Sequence, residues 1–116
     1  MDDLVKAVLA FRDQRDWQQF HNPKDLAISI TLEAAELLEH FQWKTAGEVA
    51  AFVAPPENRK RVGEEMADVL ILLISLADAM GLDLLEAAWA KLQENARKYP
   101  VDRARGNAKK YDELVP

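Results

Sequence analysis

From Asp2 to about Phe20 the apolar residues Leu4, Val5, Val8, Leu9 and Phe11 recur at helical spacing, and no alternation of period two competes with them. The FHNPKD segment breaks that pattern and starts another. Asn22 is placed to cap, Pro23 to take the first helical position, and Asp25 to sit near the positive end of the helix dipole. A second helix is predicted from there to about Trp43. Thr45 then caps a brief helical turn through EVAAFVA, which Pro55-Pro56 ends while opening a third helix, Pro56 to Met80, stopped at Gly81. Asp83 caps a fourth, whose stripe Leu84, Leu85, Ala88, Trp89 and Leu92 continues to Tyr99 and meets Pro100. The remaining VDRARGNAKKYDELVP carries four cations and few large apolar residues, and reads as an extended arm. Four helices with short connections predict an all-α antiparallel four-helix bundle: one domain over 1–116, with core helices over about 2–99 and a tail over 100–116. Val69 to Leu76 is apolar nearly all round, more than a two-layer bundle covers, so a homo-oligomer sharing that surface is expected.

Composition narrows the class. The 116 residues are 49% apolar and 30% charged, the balance of a folding globular chain. A net charge of -5 leaves no general basic field for a nucleic acid or an anionic membrane, so a polyanionic ligand must be held by local cations or metal ions. The absence of cysteine excludes disulfides and thiolate chemistry and fits the cytoplasm. Asp2 and Asp3 have the wrong charge for a signal peptide, and the longest nearly apolar run, VLILLISLA, has nine residues, far short of the roughly 20 that span a bilayer.

The chemistry lies in two acid pairs. At about 100° per residue, Glu33 and Glu36 lie about 60° apart, on the face of the second helix that also carries Leu26, Ser29, Ile30 and Leu37. Glu65 and Asp68 repeat the arrangement on the third helix, with Val62, Val69, Leu72 and Leu76. Side by side, the pairs would gather four carboxylates, a cluster that must protonate, pair with Lys or Arg, or bind a cation. All-oxygen ligands point to a hard ion, Mg²⁺ or Mn²⁺, and hence to phosphoryl chemistry. An ExxE or ExxD pair taken singly is more often a solvated helix face.

ExxE, 28 residues, then ExxD resembles the signature of the all-α nucleoside triphosphate pyrophosphohydrolases, the MazG-like superfamily. The segments RDWQQFHNPKDL, EAAELLEHFQWK, EEMADVLILLISLA, KLQENARKYP and AKKYDEL resemble its dCTP pyrophosphatase branch in order and spacing, from about Phe11 to Leu114. The resemblance implies Mg²⁺-dependent hydrolysis of a deoxynucleoside triphosphate, dCTP or a relative, to monophosphate and pyrophosphate for nucleotide-pool sanitation, by a homotetramer with shared active sites. It makes Glu33, Glu36, Glu65 and Asp68 the metal ligands and catalytic acids, and sets Trp17, His21 and Trp43 around base and deoxyribose. Lys91, Asn95 and Tyr99 would face the triphosphate and sugar, with Lys110 and Tyr111 in the matching tail. Glu36 is the candidate to orient the attacking water.

Each assignment has a plainer counterpart. Trp17 and Trp43 also fit core or interface packing, His21 fits a loop, and Lys91 with Asn95 fits a solvated stripe. His40, near the acid face, is either a partner of those acids or a surface residue. Lys44 serves either a phosphate or the negative end of the second helix. Arg103, Arg105, Lys109 and Lys110 form the nearest thing to a basic patch, with only Tyr111 as an aromatic platform, which is weak ground for nucleic-acid binding. In the branch it resembles, His is common at the position of Val8 and Tyr at that of Leu72, so the base preference is less bound by the resemblance than the chemistry. The rival readings are a relative acting on dUTP or phosphoribosyl-ATP, a nucleotide-binding module without catalysis, and a purely structural helical oligomer.

Overall fold

The computed structural model describes residues 1–113, the side chain of Tyr111 aside. Leu114, the end of the AKKYDEL segment, lies outside them. The chain is all-helical: α1 Asp2–Gln14, α2 Pro23–Glu39, α3 Ala46–Val53, α4 Pro56–Ala79, α5 Leu84–Lys98 and α6 Val101–Ala104, with short 3-10 turns at Gln18–Phe20 and Tyr111–Glu113. No strand occurs among the described residues, and no helix among them is long and apolar enough to cross a membrane. The chain divides into two compact units, Met1–Leu82 and Asp83–Pro116.

In the first unit α4 is the common partner: α2 packs along it most extensively, and α1 and α3 also rest on it. The covered stripe of α2 runs through Leu26, Ser29, Ile30, Glu33, Leu37 and His40 at three- and four-residue steps, the spacing that keeps one helix face against a neighbour. Leu26 and Ile74 retain only 3% and 2% of their surface. The buried Arg12 ties α1 to α4 by donating from its guanidinium to Asp78 Oδ2 at 2.7 Å, and also holds Asp13 at 2.9 Å. Those two carboxylates raise its pKa, Asp13 foremost. Much apolar surface stays open all the same, including Leu32, Leu38, Met66, Leu70 and Ile71.

The ends of the helices follow from local chemistry. Asn22 Oδ1 accepts from the Asp25 N–H at 2.9 Å, with Pro23 in the first turn. Thr45 and Glu48 form a reciprocal capping box that starts α3, satisfying two otherwise orphaned donors. The Thr45 backbone and side-chain hydrogen bonds hold the Glu48 carboxyl below its usual range. At the end of α4, Gly81 takes φ +66° while its N–H and that of Leu82 bond back to Asp78 and Ala77, a Schellman ending.

Three boundaries differ from the sequence-based expectation. The first helix ends at Gln14, not near Phe20, because Asp16 at φ +55° closes a Schellman ending through bonds from Asp16 and Trp17 to Asp13 and Arg12. Aspartate in a glycine-like position leaves no obvious mark in a sequence. The second helix stops at Glu39, four residues short of Trp43, in a turn whose last residue has φ +68°. The tail is not wholly an extended arm: Pro100 opens the short α6, a position where its fixed φ is compatible with helix initiation.

The second unit contains α5, capped by Asp83 Oδ1 accepting from the Glu86 N–H at 3.0 Å. Along this helix Leu85, Ala88, Trp89 and Leu92 line a shallow, wholly apolar groove.

Candidate functional site

Packing α2 along α4 brings three carboxylates together. One oxygen each from Glu33, Glu36 and Glu65 lies within 4.8 Å of the other two. Glu33 and Glu65 are half-buried on the covered stripes of their helices, whereas Glu36 and Asp68, one turn on, are exposed. Asp68 stands outside the group of three but acts on Glu33 and Glu65 through its charge. The three-residue spacing thus places one acid of each pair in the interface and the other at its rim.

The electrostatics are those of a site short of positive charge. Loss of water raises the Glu33 pKa, with further contributions from Glu36, Asp68 and Glu65. Glu65 is raised for the same first reason, then by Glu36, while His40 works in the opposite direction. Glu33 Oε2 and Glu65 Oε2 are buried without a hydrogen-bond partner among the described residues. A buried carboxylate oxygen without a donor is costly, and a cation is the ligand that relieves both the orphaned oxygens and the mutual repulsion. The donor set, carboxylate oxygens without sulfur, suits a hard divalent ion.

His40 closes the α2 end of this site. Its Nε2 lies 3.8 Å from Glu65 Oε1, and its ring stacks on Phe52 of α3 at 5.8 Å and 28° and meets Phe41 edge-on at 6.3 Å. Lys44 Nζ donates to the His40 carbonyl at 2.7 Å and lies 4.8 Å from the Phe52 ring centroid. Of the two roles open to Lys44 from sequence, its contacts here are those of a cation at a helix C-terminus. Phe52 carried no functional signal in the sequence: a lone aromatic in a short helix acquires its meaning only from the ring it packs on.

Three of the residues expected around the base also belong to the first unit. Trp17 is partly exposed and meets Phe11 edge-on at 5.8 Å, and Arg15 lies over the other ring of that pair, 3.7 Å from the Phe11 centroid. His21 is half-buried with Nδ1 unpartnered among the described residues. Trp43 is 91% exposed at its left-handed backbone position. Trp17 and Trp43 each follow or occupy a positive-φ residue, so turns rather than helix faces present both indoles.

The others lie in the second unit. Lys91 is 3.6 Å from Glu94, which Lys98 also holds at 3.0 Å; Lys98 and then Lys91 keep the Glu94 carboxyl below its usual range. Asn95 accepts the Tyr99 N–H at 2.9 Å through its carbonyl, ending α5. Lys110 is exposed, and its carbonyl accepts from Glu113 in the turn that Tyr111 opens.

Known proteins resemble this chain along most of its length. A model of the MazG-like family matches residues 28–114, a span that includes all four acids. The chain is similar to dCTP pyrophosphatase 1 of Mus musculus and of Homo sapiens, each 40% identical over 114 residues, covering 98% of this chain and 67% of theirs. It is also similar to the crystal structure of a pyrophosphatase from Archaeoglobus fulgidus, with a TM-score of 0.79 and 42% identity over 86% of this chain and 92% of that one. With a family match over most of its length, relatives this near and the acid cluster where the paired motifs meet, the chain belongs to the MazG-like family.

Proposed function

We propose that this protein hydrolyses a deoxynucleoside triphosphate, dCTP or a close relative, to the monophosphate and pyrophosphate, as a cytoplasmic enzyme of nucleotide-pool sanitation. The observation that carries the reading is the cluster of Glu33, Glu36 and Glu65, with two buried oxygens unpartnered among the described residues, in a chain 40% identical to dCTP pyrophosphatases. Glu33, Glu36, Glu65 and Asp68 hold Mg²⁺, or Mn²⁺ in its place. When bound, the ion neutralises phosphate charge and lowers the pKa of attacking water. Glu36, at the exposed rim of the cluster, orients the water toward the α-phosphorus, and pyrophosphate leaves in line. Trp17, His21 and Trp43 enclose base and sugar; Lys91, Asn95 and Tyr99 serve the triphosphate and sugar by family resemblance, with Lys110 and Tyr111 in the matching tail, and Lys44, which caps the end of α2, is the further cation offered to a phosphate.

In this reading residues 1–116 form one MazG-like domain, with core helices over about 2–99 followed by the tail. It functions as a homo-oligomer, a tetramer or a dimer. The open apolar residues of α2 and α4 support that assembly.

Pyrophosphate release from dCTP, dTTP, dUTP, dATP, dGTP and phosphoribosyl-ATP, each with Mg²⁺ and with EDTA, tests the proposal. Metal-dependent release fastest with dCTP is expected, and Glu36→Gln should abolish it in a folded protein. A different favourite would retain the chemistry and direct attention to Val8 and Leu72; nucleotide binding without any release would make this a non-catalytic module.

A further inference from the structure

We infer that His40 is a positioning residue for the acid cluster: its Nε2–H holds Glu65 Oε1 so that the other carboxylate oxygen is presented to the cation. The inference rests on the proposed metal site. The pocket around His40 is aromatic, formed by Phe41 and Phe52, and only 14% of the imidazole side-chain surface is exposed. A leucine or phenylalanine would fill such a place without a polar edge to satisfy. The polar edge that is present faces Glu65, with Nε2 3.8 Å from Oε1, while Oε2 of the same carboxylate is buried without a partner among the described residues. One oxygen is therefore approached by a donor and its twin is left for a ligand.

The separation is longer than a hydrogen bond, and such contacts are often long in a resting site and tighten in the loaded complex. The imidazole is restrained from several sides. Its backbone ends α2, its carbonyl is held by Lys44, and its ring lies against Phe52, whose helix begins at the Thr45–Glu48 capping box. The short α3 thus acts as a wall for His40, a role that explains a capped two-turn helix beside the acids. Groups that orient ligating side chains typically change metal affinity by about 10–100-fold when removed.

The test is calorimetric titration of the full chain with Mg²⁺, without nucleotide, for wild type, His40→Leu, His40→Asn and His40→Gln, with metal-free melting curves as the folding control. Leu keeps an apolar filling without the donor, Asn keeps a polar side chain too short to reach, and Gln returns an N–H at the ε position. Weakening of about 10–100-fold is expected in the Leu and Asn variants, with most of the affinity recovered in Gln. If Leu does not fold, Asn against Gln makes the comparison. Wild-type affinity in a folded Leu or Asn variant overturns the inference, as does a folded Gln variant no better than they are. If wild type itself binds neither Mg²⁺ nor Mn²⁺, the metal site fails and this inference fails with it.

Discussion

At the scale of single residues, ionisation of the acid cluster opposes folding when no cation is present. Glu33 and Glu65 have pKa values raised first by loss of water and then by one another's neighbours. The folded chain therefore binds more protons than the unfolded one between the ordinary carboxylate range and the raised values. In that window the unfolded-minus-folded proton count is negative, so this contribution to stability falls as pH rises. In EDTA, wild type should lose stability from this source as pH rises through the window, and a Glu33→Gln/Glu65→Gln variant should show a flatter profile. Melting curves across that range check the sign; parallel profiles for the two proteins would contradict it. Trp43 presents a second residue-scale conflict, since left-handed backbone costs an L-residue roughly 1–2 kcal/mol and Trp43 stands at φ +68° with its indole in solvent. Trp43→Gly should consequently be more stable than Trp43→Ala in urea denaturation. Both should bind dCTP more weakly if the indole encloses the base. Strain of this kind at an exposed aromatic is what functional turns commonly retain.

Among elements, the link between α1 and α4 depends on an ion pair rather than on apolar packing alone. Arg12 is 6% exposed while the Asp78 side chain keeps 37% of its surface, so loss of the acid leaves a buried cation with Asp13 as its remaining carboxylate. Removing one member of a buried pair costs about 3–5 kcal/mol. Solvent at Asp78 and the retained Asp13 bring the expectation for Asp78→Ala down to about 2 kcal/mol. Arg12→Met replaces the buried cation by an apolar side chain and should cost less, because the carboxylates left without a partner, Asp13 and Asp78, are exposed to solvent. Chemical denaturation of the two variants orders them, and a more damaging Arg12→Met would reject this account. The helix starts were legible because Asn22, Thr45 and Asp83 accept from backbone donors three residues ahead, which makes the signal local. The ends of α1 and α2 were not, since Asp16 and Trp43 adopt a conformation their side chains do not advertise.

On the scale of the whole molecule, the chain leaves Leu32, Leu38, Met66, Leu70 and Ile71 open on α2 and α4. Scattered exposed apolar residues are ordinary, but several on two packed helices form the kind of surface that associates. Sedimentation equilibrium should give a mass that is a multiple of 13.1 kDa, and the melting temperature should rise with protein concentration. A monomer at micromolar concentration would contradict the assembly.

Helix content and the inward phase of Glu33 and Glu65 were determined by the sequence itself, because a 3.6-residue repeat and a capping side chain act over a few residues. The same arithmetic treated Glu36 and Asp68 as equals of their partners. Only the packing of α2 on α4 separated half-buried from exposed acids, left Asp68 outside the group of three and set His40 and Phe52 beside Glu65. Those relations depend on interhelical distance and rotation, which arise from the fit of two surfaces and are not encoded at any single spacing along the chain.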